Sequence, residues 1–255
     1  MKIKLLDLNL YEGGLLMSKI INFFQKENPD ILILQEVYDG KASNFPKNLK
    51  TLQTLKKMFH SFYFSFSPEL CDNRIEGRIE LGNAVFSRFP IFSTKTVFIN
   101  SSYEKSWLRS NFHEDFTNSP QNLQHLKIKL ENKNLDLINI HGVWGFDGQD
   151  NPARFRMGRL IQKELKNYQY TVLAGDFNLT PDTKVVKNIE KHLVNVFKDE
   201  LKSTFNIKRK RKDKGGYAKA VVDMLFVSKN IKVLSHRCPK LDISDHLPLV
   251  CEFNI

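Results

Sequence analysis

The chain has few cysteines and no long apolar run. Cys71, Cys238 and Cys251 form an odd, scattered set without a CxxC motif, so the sequence predicts neither a disulfide framework nor a zinc knuckle. No apolar run reaches the roughly 18 residues of a membrane-spanning helix, and the N-terminus lacks the apolar segment of a signal peptide. We therefore expect a reduced, cytoplasmic protein without a transmembrane segment.

Acidic residues are outnumbered by basic ones. The 28 Asp and Glu residues stand against 39 Lys and Arg residues, which gives a formal net charge of +11. Such a charge favours polyanionic partners, either nucleic acid or an anionic membrane surface. The alternative is an AT-rich genome, because Lys, Asn, Ile and Phe are all abundant and lysine then accumulates without function. Nothing in the sequence indicates a protein partner, and a monomer is expected.

The pattern of apolar residues predicts one α+β domain over residues 1–255. At this length, and with 41% hydrophobic residues, an undivided β-rich domain is typical. Amphipathic segments with helical spacing alternate with short apolar runs, which predicts two sheets with helices outside them. The predicted helices are 15–26, 52–58, 154–166 and 184–192. The predicted strands are 3–10, 30–34, 61–66, 83–87, 95–99, 123–130, 135–140, 171–173, 221–227 and 249–255, and 100–122 is predicted to be a loop.

Two polar residues come at the ends of the first two strands. Asn9 ends the first apolar run, and Glu36 follows the run 31–34. A carboxylate is too costly to bury there without a partner, so we expect Glu36 at the strand tip, facing a cation. Oxygen ligands of this kind suit Mg²⁺. The alternative is a glutamate that forms an ordinary salt bridge at a strand end.

A Gly-Asp-Phe-Asn segment follows the apolar run 172–174. Strand alternation predicts that Asp176 and Asn178 share a face. A carboxylate there can accept a proton from water, and a carboxamide can donate to a phosphate oxygen. The alternative is an Asx turn, which explains many Asp-x-Asn strings.

Two histidines extend the series. His141 ends the apolar run 137–140, and His246 lies near the C-terminus in the segment Ser-Asp-His. Asp223 lies inside the apolar run 221–227, and a buried aspartate can fix the tautomer of an imidazole and raise its basicity. His246 is the expected partner of Asp223. Considered singly, each of these residues also has a purely structural explanation.

Together, these motifs resemble the endonuclease/exonuclease/phosphatase superfamily. The resemblance runs from Asn9 to Phe253, and its most specific parts are Gly-Asp-Phe-Asn at 175–178 and Ser-Asp-His at 244–246. It implies a four-layered α/β sandwich, in which two mixed sheets pack face to face with helices outside. It also implies metal-dependent hydrolysis of phosphate esters.

The resemblance implies a role for each motif residue. Glu36 would hold Mg²⁺ or Mn²⁺, with Asn9 and Asp245 near or on the ion. Asp176 would activate the attacking water, and Asn178 would position that water or the phosphate. His246, oriented by Asp223, would donate a hydrogen bond to the phosphate, while His141 would contact the phosphate or assist the leaving oxygen.

A basic segment lies between these motifs. Residues 208–214 contain six cations, and Arg209, Lys210, Arg211 and Lys212 are expected to contact substrate phosphates. The alternative is a solvated charge run. Four aromatic residues could stack on bases or serve as packing residues or loop anchors: Trp144, Phe146, Trp107 and Tyr217. We therefore expect a Mg²⁺-dependent phosphodiesterase that acts on nucleic acid, as a nuclease or a DNA-end-processing enzyme. The alternative substrates are lipid head groups or small phosphate esters.

Overall fold

A computed structural model describes residues 1–74, 77–108, 119–165, 169–210 and 219–255. The described part contains thirteen strands and four α-helices. The strands are β1 (Lys2–Asn9), β2 (Ile31–Gly40), β3 (Tyr63–Arg74), β4 (Gly77–Ser87), β5 (Ile91–Phe98), β6 (Glu104–Leu108), β7 (Asn122–Leu130), β8 (Lys133–His141), β9 (Thr171–Asp176), β10 (Val194–Asn195), β11 (Asp223–Val227), β12 (Lys232–Arg237) and β13 (Leu249–Asn254). The helices are α1 (Met17–Glu27), α2 (Thr51–Met58), α3 (Pro152–Glu164) and α4 (Lys184–Glu190).

The described strands form two mixed sheets. The first sheet has seven strands in the order β12-β13-β1-β2-β4-β3-β6, and the second has six in the order β10-β11-β9-β8-β7-β5. Strand β1 is parallel to β2, and β8 is parallel to β9, while most other neighbours are antiparallel. Strands β1 and β2 pack on β9 of the second sheet.

Apolar residues fill three layers between and outside the sheets. Inward-facing side chains of both sheets, such as Ile33 and Leu137, form the central cluster. Helices α1 and α2 cover the outer face of the first sheet, and α3 and α4 cover that of the second. This is the four-layered α+β sandwich that the sequence predicts. Within the described part of the chain, no helix combines the length and apolar character needed to cross a bilayer.

Local signals account for the ends of two helices. Helix α1 buries Ile20, Phe23 and Phe24 at helical spacing, and it ends at Asn28. Asn28 has a left-handed φ of 46°, and its N–H donates to the carbonyl of Phe24, which caps the helix. Helix α3 begins with proline after Asn151, whose side chain accepts a hydrogen bond from the third helical residue.

Three strands of the described part are absent from the sequence-based prediction, and one of them, β10, has only two residues. The expected loop 100–122 contains β6, which pairs in parallel with β3, and residues 109–118 of it lie outside the described residues. Strand β12 was also not predicted, because it lies at the edge of its sheet and most of its side chains are exposed. An edge strand of that kind carries no apolar alternation for a sequence pattern to detect.

Strand ends from both sheets meet at one rim of the sandwich. Asn9, the last residue of β1, pairs with Gln35 beside a register shift inside β2, and β2 continues to Gly40. The expectation that Glu36 lies at a strand tip is therefore wrong, because Glu36 reaches the rim from within its strand. His141 and Asp223 flank Asp176 in the second sheet, as register partners from β8 and β11. The polar residues that end separate apolar runs are therefore neighbours in the fold.

Candidate active site

Two β-bulges bring glutamates into the rim on either side of β4. In β2, Gln35 and Glu36 together oppose the single residue Asn83, and in β3, Glu69 is the extra residue opposite β4 between Pro68 and Leu70. A bulge of this type reorients side chains and is common beside active sites. Glu36 has a left-handed φ of 54°, a conformation that costs about 1–3 kcal/mol and persists only when its surroundings fix it.

Hydrogen bonds hold the Glu36 carboxylate. The backbone N–H of Glu12 donates to Oε2 at 2.6 Å, and Asn9 Nδ2 donates to Oε1 at 3.1 Å. Asn9 Nδ2 also donates to Asp176 Oδ2 at 3.2 Å, which links the two sheets. The amide oxygen of Asn9 accepts from the backbone N–H of Tyr11 at 3.0 Å. Asn9 therefore presents its amide N–H, rather than its oxygen, to both carboxylates.

The Gly-Asp-Phe-Asn segment forms an Asx turn. Strand β9 ends at Asp176, and Asn178 has a left-handed φ of 52°. The backbone N–H of Asn178 donates to Asp176 Oδ1 at 2.9 Å, and its side-chain amide donates to the carbonyl of Gly142 at 3.2 Å. The premise of strand alternation was therefore wrong, because the strand stops before Asn178. The turn nevertheless keeps both residues at the rim.

His246 is paired with Asp223, as the sequence predicts. Nδ1 of His246 lies 2.9 and 3.0 Å from the two oxygens of Asp223, which is buried. Nε2 of His246 lies 3.8 Å from Asp176 Oδ2 and 3.9 Å from Asp245 Oδ1. Burial lowers the pKa of His246, but the carboxylates of Asp223, Asp245 and Asp176 outweigh it and raise the pKa to about 10. The imidazole is therefore protonated at neutral pH.

His141 has a partner that the sequence analysis missed. Nδ1 of His141 lies 3.2 Å from Oε2 of Glu69, which is buried and accepts from Asn83 Nδ2 at 3.3 Å. Burial lowers the pKa of His141, but Glu69, then Asp176 and Glu36, raise it to about 9. The signal in the sequence is weak: Pro68 and Gly82 interrupt their strands at the bulge.

A buried polar layer lies below the rim. Gln35 Nε2 donates to Asp7 Oδ1 at 2.9 Å and to Asn139 Oδ1 at 2.8 Å. Burial, and then the negative charge of Asp223, raise the pKa of Asp7 well above its usual value. The carboxyl group of Asp7 therefore keeps its proton to a higher pH than an exposed aspartate does.

The start of the basic segment reaches the rim. Lys210 Nζ lies 3.6 Å from Asp245 Oδ2 and 4.0 Å from the centroid of the Phe205 ring, which packs edge-on against His246. Arg209 instead donates two hydrogen bonds to Asp242, at 2.6 and 2.7 Å. The positions of Arg211 and Lys212 lie outside the described residues.

The structure thus brings eight predicted residues to one rim: Asn9, Glu36, His141, Asp176, Asn178, Asp223, Asp245 and His246. They form a dense group of carboxylates around two protonated imidazoles. Such a group has acid, base and oxygen-ligand chemistry within a few ångströms. This arrangement can hold a cation, accept a proton from water and donate hydrogen bonds to an anion.

Solved structures with the same architecture include several phosphoesterases. An endonuclease/exonuclease/phosphatase from Bacteroides vulgatus is 17% identical with a TM-score of 0.73, over 100% of this chain and 99% of that one. D. rerio TDP2, complexed with a single-strand DNA product, is 17% identical with a TM-score of 0.69, over 100% and 99%. The mannosyl-6-phosphatase Bt3783 of Bacteroides thetaiotaomicron is 17% identical with a TM-score of 0.71, over 99% and 100%. At these identities the likeness shows the fold alone.

The sequence itself matches one family. The profile of the Endonuclease/Exonuclease/phosphatase family matches residues 9–246, from the first rim residue to the last. No curated protein sequence matches the chain. Members of the family are phosphoric ester hydrolases, and they generally depend on a divalent metal ion. The chain belongs to the Endonuclease/Exonuclease/phosphatase family.

Proposed function

We propose that this chain is a divalent-metal-dependent phosphodiesterase that acts on nucleic acid, as a nuclease or as a DNA-end-processing enzyme. The observation that carries the proposal is the convergence of Asp176, the His246–Asp223 pair and the His141–Glu69 pair at one rim. A basic segment begins at the same rim.

The donor set fits Mg²⁺ or Mn²⁺. Glu36 and Asp245 offer carboxylate oxygens, and each oxygen of Glu36 accepts only one hydrogen bond from the described residues. Carboxylates have further lone pairs available, and hard oxygen donors suit Mg²⁺. A second grouping, Asp176, Asp223 and His246, has ligand atoms within 4.8 Å of one another. His246 and Asp223 already bind each other, so we assign the ion to Glu36 and Asp245.

A divalent ion held there would neutralise negative charge on the phosphate oxygens. Asn9 keeps the carboxylates of Glu36 and Asp176 in place through its amide N–H. This reassigns Asn9 from a ligand to a residue that positions one ligand, Glu36, and the proton acceptor, Asp176.

The other side chains divide the proton transfers. Asp176 accepts the proton of the attacking water. The backbone N–H of Asn178 fixes the orientation of the Asp176 carboxylate through the Asx turn. His246, protonated and held by Asp223, donates a hydrogen bond from Nε2 to the phosphate. His141, protonated and held by Glu69, donates a proton to the leaving oxygen. Both imidazolium groups compensate the negative charge that develops during hydrolysis.

Charge at the rim favours a polyanionic substrate. The two hydrogen bonds from Arg209 to Asp242 anchor the start of the basic segment beside the rim. Lys210 extends toward Asp245 from there, and further cations follow in residues 211–214. A row of cations that begins at a phosphate-binding site suits a substrate with several phosphates.

A second candidate is a phosphatase of small phosphate esters. The observation that favours it is the likeness to the mannosyl-6-phosphatase, whose TM-score of 0.71 is close to the 0.69 of TDP2. The reaction chemistry at the rim would be the same. Only the surface outside the rim distinguishes the two candidates.

A substrate panel tests the choice. We would measure kcat/KM for single-stranded, duplex and 5′-blocked oligonucleotides, sphingomyelin, inositol phosphates and a sugar phosphate, in Mg²⁺ and in EDTA. Asp176→Asn serves as the background control, because it keeps the shape of the site and removes the proton acceptor. We expect the highest kcat/KM on an oligonucleotide. A higher value on a small ester would replace the proposal with the second candidate.

A further inference from the structure

The most exposed large apolar side chain of the described residues lies close to the candidate active site. Phe146 is 76% exposed, more than any other large hydrophobic residue there. Trp144 packs edge-on against Phe146, with ring centroids 4.7 Å apart and an angle of 70° between the planes. We refer to Trp144 and Phe146 as the aromatic platform. An exposed aromatic ring beside the candidate active site offers a flat apolar face on which a planar ligand can stack.

The platform is joined to the active site by a short stretch of chain. Trp144 comes three residues after His141, so its Cα lies within about 11 Å of the Cα of His141. The N–H of Gly142 donates to the carbonyl of Asp176 at 2.7 Å, and the carbonyl of Gly142 accepts from Asn178. The loop that carries the platform therefore starts from a peptide that two site residues hold.

A buried arginine fixes the rest of that loop. Arg154 is fully buried at the start of α3, and its Nε donates to the carbonyl of Val143 at 3.1 Å. Its Nη1 donates to Asp147 Oδ1 at 3.1 Å and to the carbonyl of Gln149. Gly145 lies so close that a Cβ there would be 2.8 Å from Arg154 Nη2. Hydrogen bonds to the backbone on both sides of the platform hold its position before any ligand binds.

We propose that the aromatic platform is a stacking subsite for a nucleobase adjacent to the phosphodiester that is cleaved. The inference rests on the proposed action on nucleic acid and adds how the enzyme holds its substrate. The exposed face of Phe146 suits a planar π-system, and every base offers one. The exposed neighbours of Phe146 include Asp147 and Gln149, so the apolar area is one ring wide. That area matches a base and is too small for a protein partner.

Substitutions at Phe146 test the proposal. Phe146→Ala should raise KM for an oligonucleotide by roughly 5- to 150-fold, which corresponds to the usual contribution of one base–aromatic stack. Its kcat should stay nearly constant, because the stack contributes equally to the bound substrate and the transition state. Phe146→Tyr should retain the wild-type KM. Phe146→Leu should raise KM almost as much as Phe146→Ala, because its apolar side chain has no ring on which a base can stack. Phe92→Ala removes another exposed phenylalanine, 54% exposed at the opposite end of the second sheet, and should change nothing.

The matched substrate is an oligonucleotide with one abasic position. We would move that position along the strand on both sides of the cleaved bond. At one position, wild type and Phe146→Ala should have the same KM, because the base that stacks is missing. In a Trp107→Phe background, Trp144 is the single indole of the chain, and its fluorescence should fall when the intact oligonucleotide binds.

The outcomes separate the two proposals. If wild type hydrolyses oligonucleotides and Phe146→Ala has an unchanged KM, the platform is refuted and the proposed function stands. The platform would also be refuted if Phe146→Ala raised KM by the same factor wherever the abasic position lies. In that case Phe146 would support the loop and would not stack on a particular base. If wild type hydrolyses no oligonucleotide with any divalent metal, the proposed function fails, and the platform fails with it.

Discussion

Replacing Glu69 with glutamine should move the alkaline limit of activity. Glu69 contributes most to raising the pKa of His141 from 6.5 to about 9 against the effect of burial, and that difference corresponds to about 3 kcal/mol in favour of the imidazolium. Glu69→Gln keeps the shape of the side chain and an oxygen acceptor for Asn83. It removes the charge, so the pKa of His141 should return to about 6.5 or below.

The expected loss of activity depends on pH. At pH 8, about 90% of His141 is protonated when its pKa is about 9, and about 3% when it is about 6.5. If His141 donates the proton to the leaving oxygen, kcat of Glu69→Gln should be about 30-fold lower at pH 8. For a pKa of 6.5, the loss should shrink to about 1.3-fold at pH 6. A raised folded-state pKa keeps the proton until pH rises through about 9, so wild-type activity should decline only above that pH.

Two measurements check this prediction. The pH profile of kcat gives the alkaline limb, and NMR titration of the imidazole carbons gives the pKa of His141 without any turnover. Asp176 and Glu36 also face His141 and should keep its pKa from falling to the value that burial alone would set.

Glu164→Gln is the matched control. Glu164 contacts a second buried histidine, His125, at 3.0 Å, away from the rim. That variant removes the same charge from the same type of contact and should leave the alkaline limb in place. If Glu69→Gln leaves both the limb and the NMR titration of His141 unchanged, the assigned role of the His141–Glu69 pair is wrong.

Three further variants, one of them a double substitution, have definite expected outcomes. Glu36→Ala should keep the wild-type circular dichroism spectrum, lose Mn²⁺ binding in calorimetry and lose nearly all activity. Full activity of this variant would show that Glu36 does not hold the metal ion. Asp176→Asn should lower kcat by about 10²- to 10⁴-fold in steady-state assays. A change in kcat below about threefold would show that Asp176 has only a structural role. Arg209→Ser with Lys210→Ser should flatten the dependence of log KM on log salt by up to about one unit for each phosphate that is no longer neutralised. The same exchange at Lys129 of β7 and Lys133 of β8, at the end of this strand pair opposite His141, should leave that slope unchanged.

The rim residues could be predicted because each one ends or interrupts an apolar run. Asn9 and His141 end buried strands, and the carboxyl ends of parallel neighbours must meet at one edge. Glu36 follows a buried apolar run, although its strand continues beyond it. Asp223 and His246 were paired on chemical grounds, since a buried aspartate can fix the tautomer of an imidazole and raise its basicity. These inferences need only local periodicity and the cost of burying charge.

The missed residues depend on tertiary pairing. Glu69 reaches His141 only because β3 gains one residue against β4, and the weak local signal of Pro68 and Gly82 does not identify the partner of His141. In the sequence, Arg154 is a polar residue in the first turn of a predicted helix. In the structure it is buried, because the loop that contains Val143 and Asp147 folds around it. Asn178 was placed correctly from a premise that failed, since a turn rather than a strand brings it to the rim.

We propose that these rim residues hydrolyse nucleic acid with the help of a divalent ion. The most direct test is turnover of a labelled single-stranded oligonucleotide by chelated wild-type protein as Mg²⁺ is added back. We predict no turnover after chelation and a saturable recovery with Mg²⁺, absent in Asp176→Asn. Turnover that persists in excess EDTA, or folded protein that cleaves no oligonucleotide at any Mg²⁺ concentration, would contradict the account.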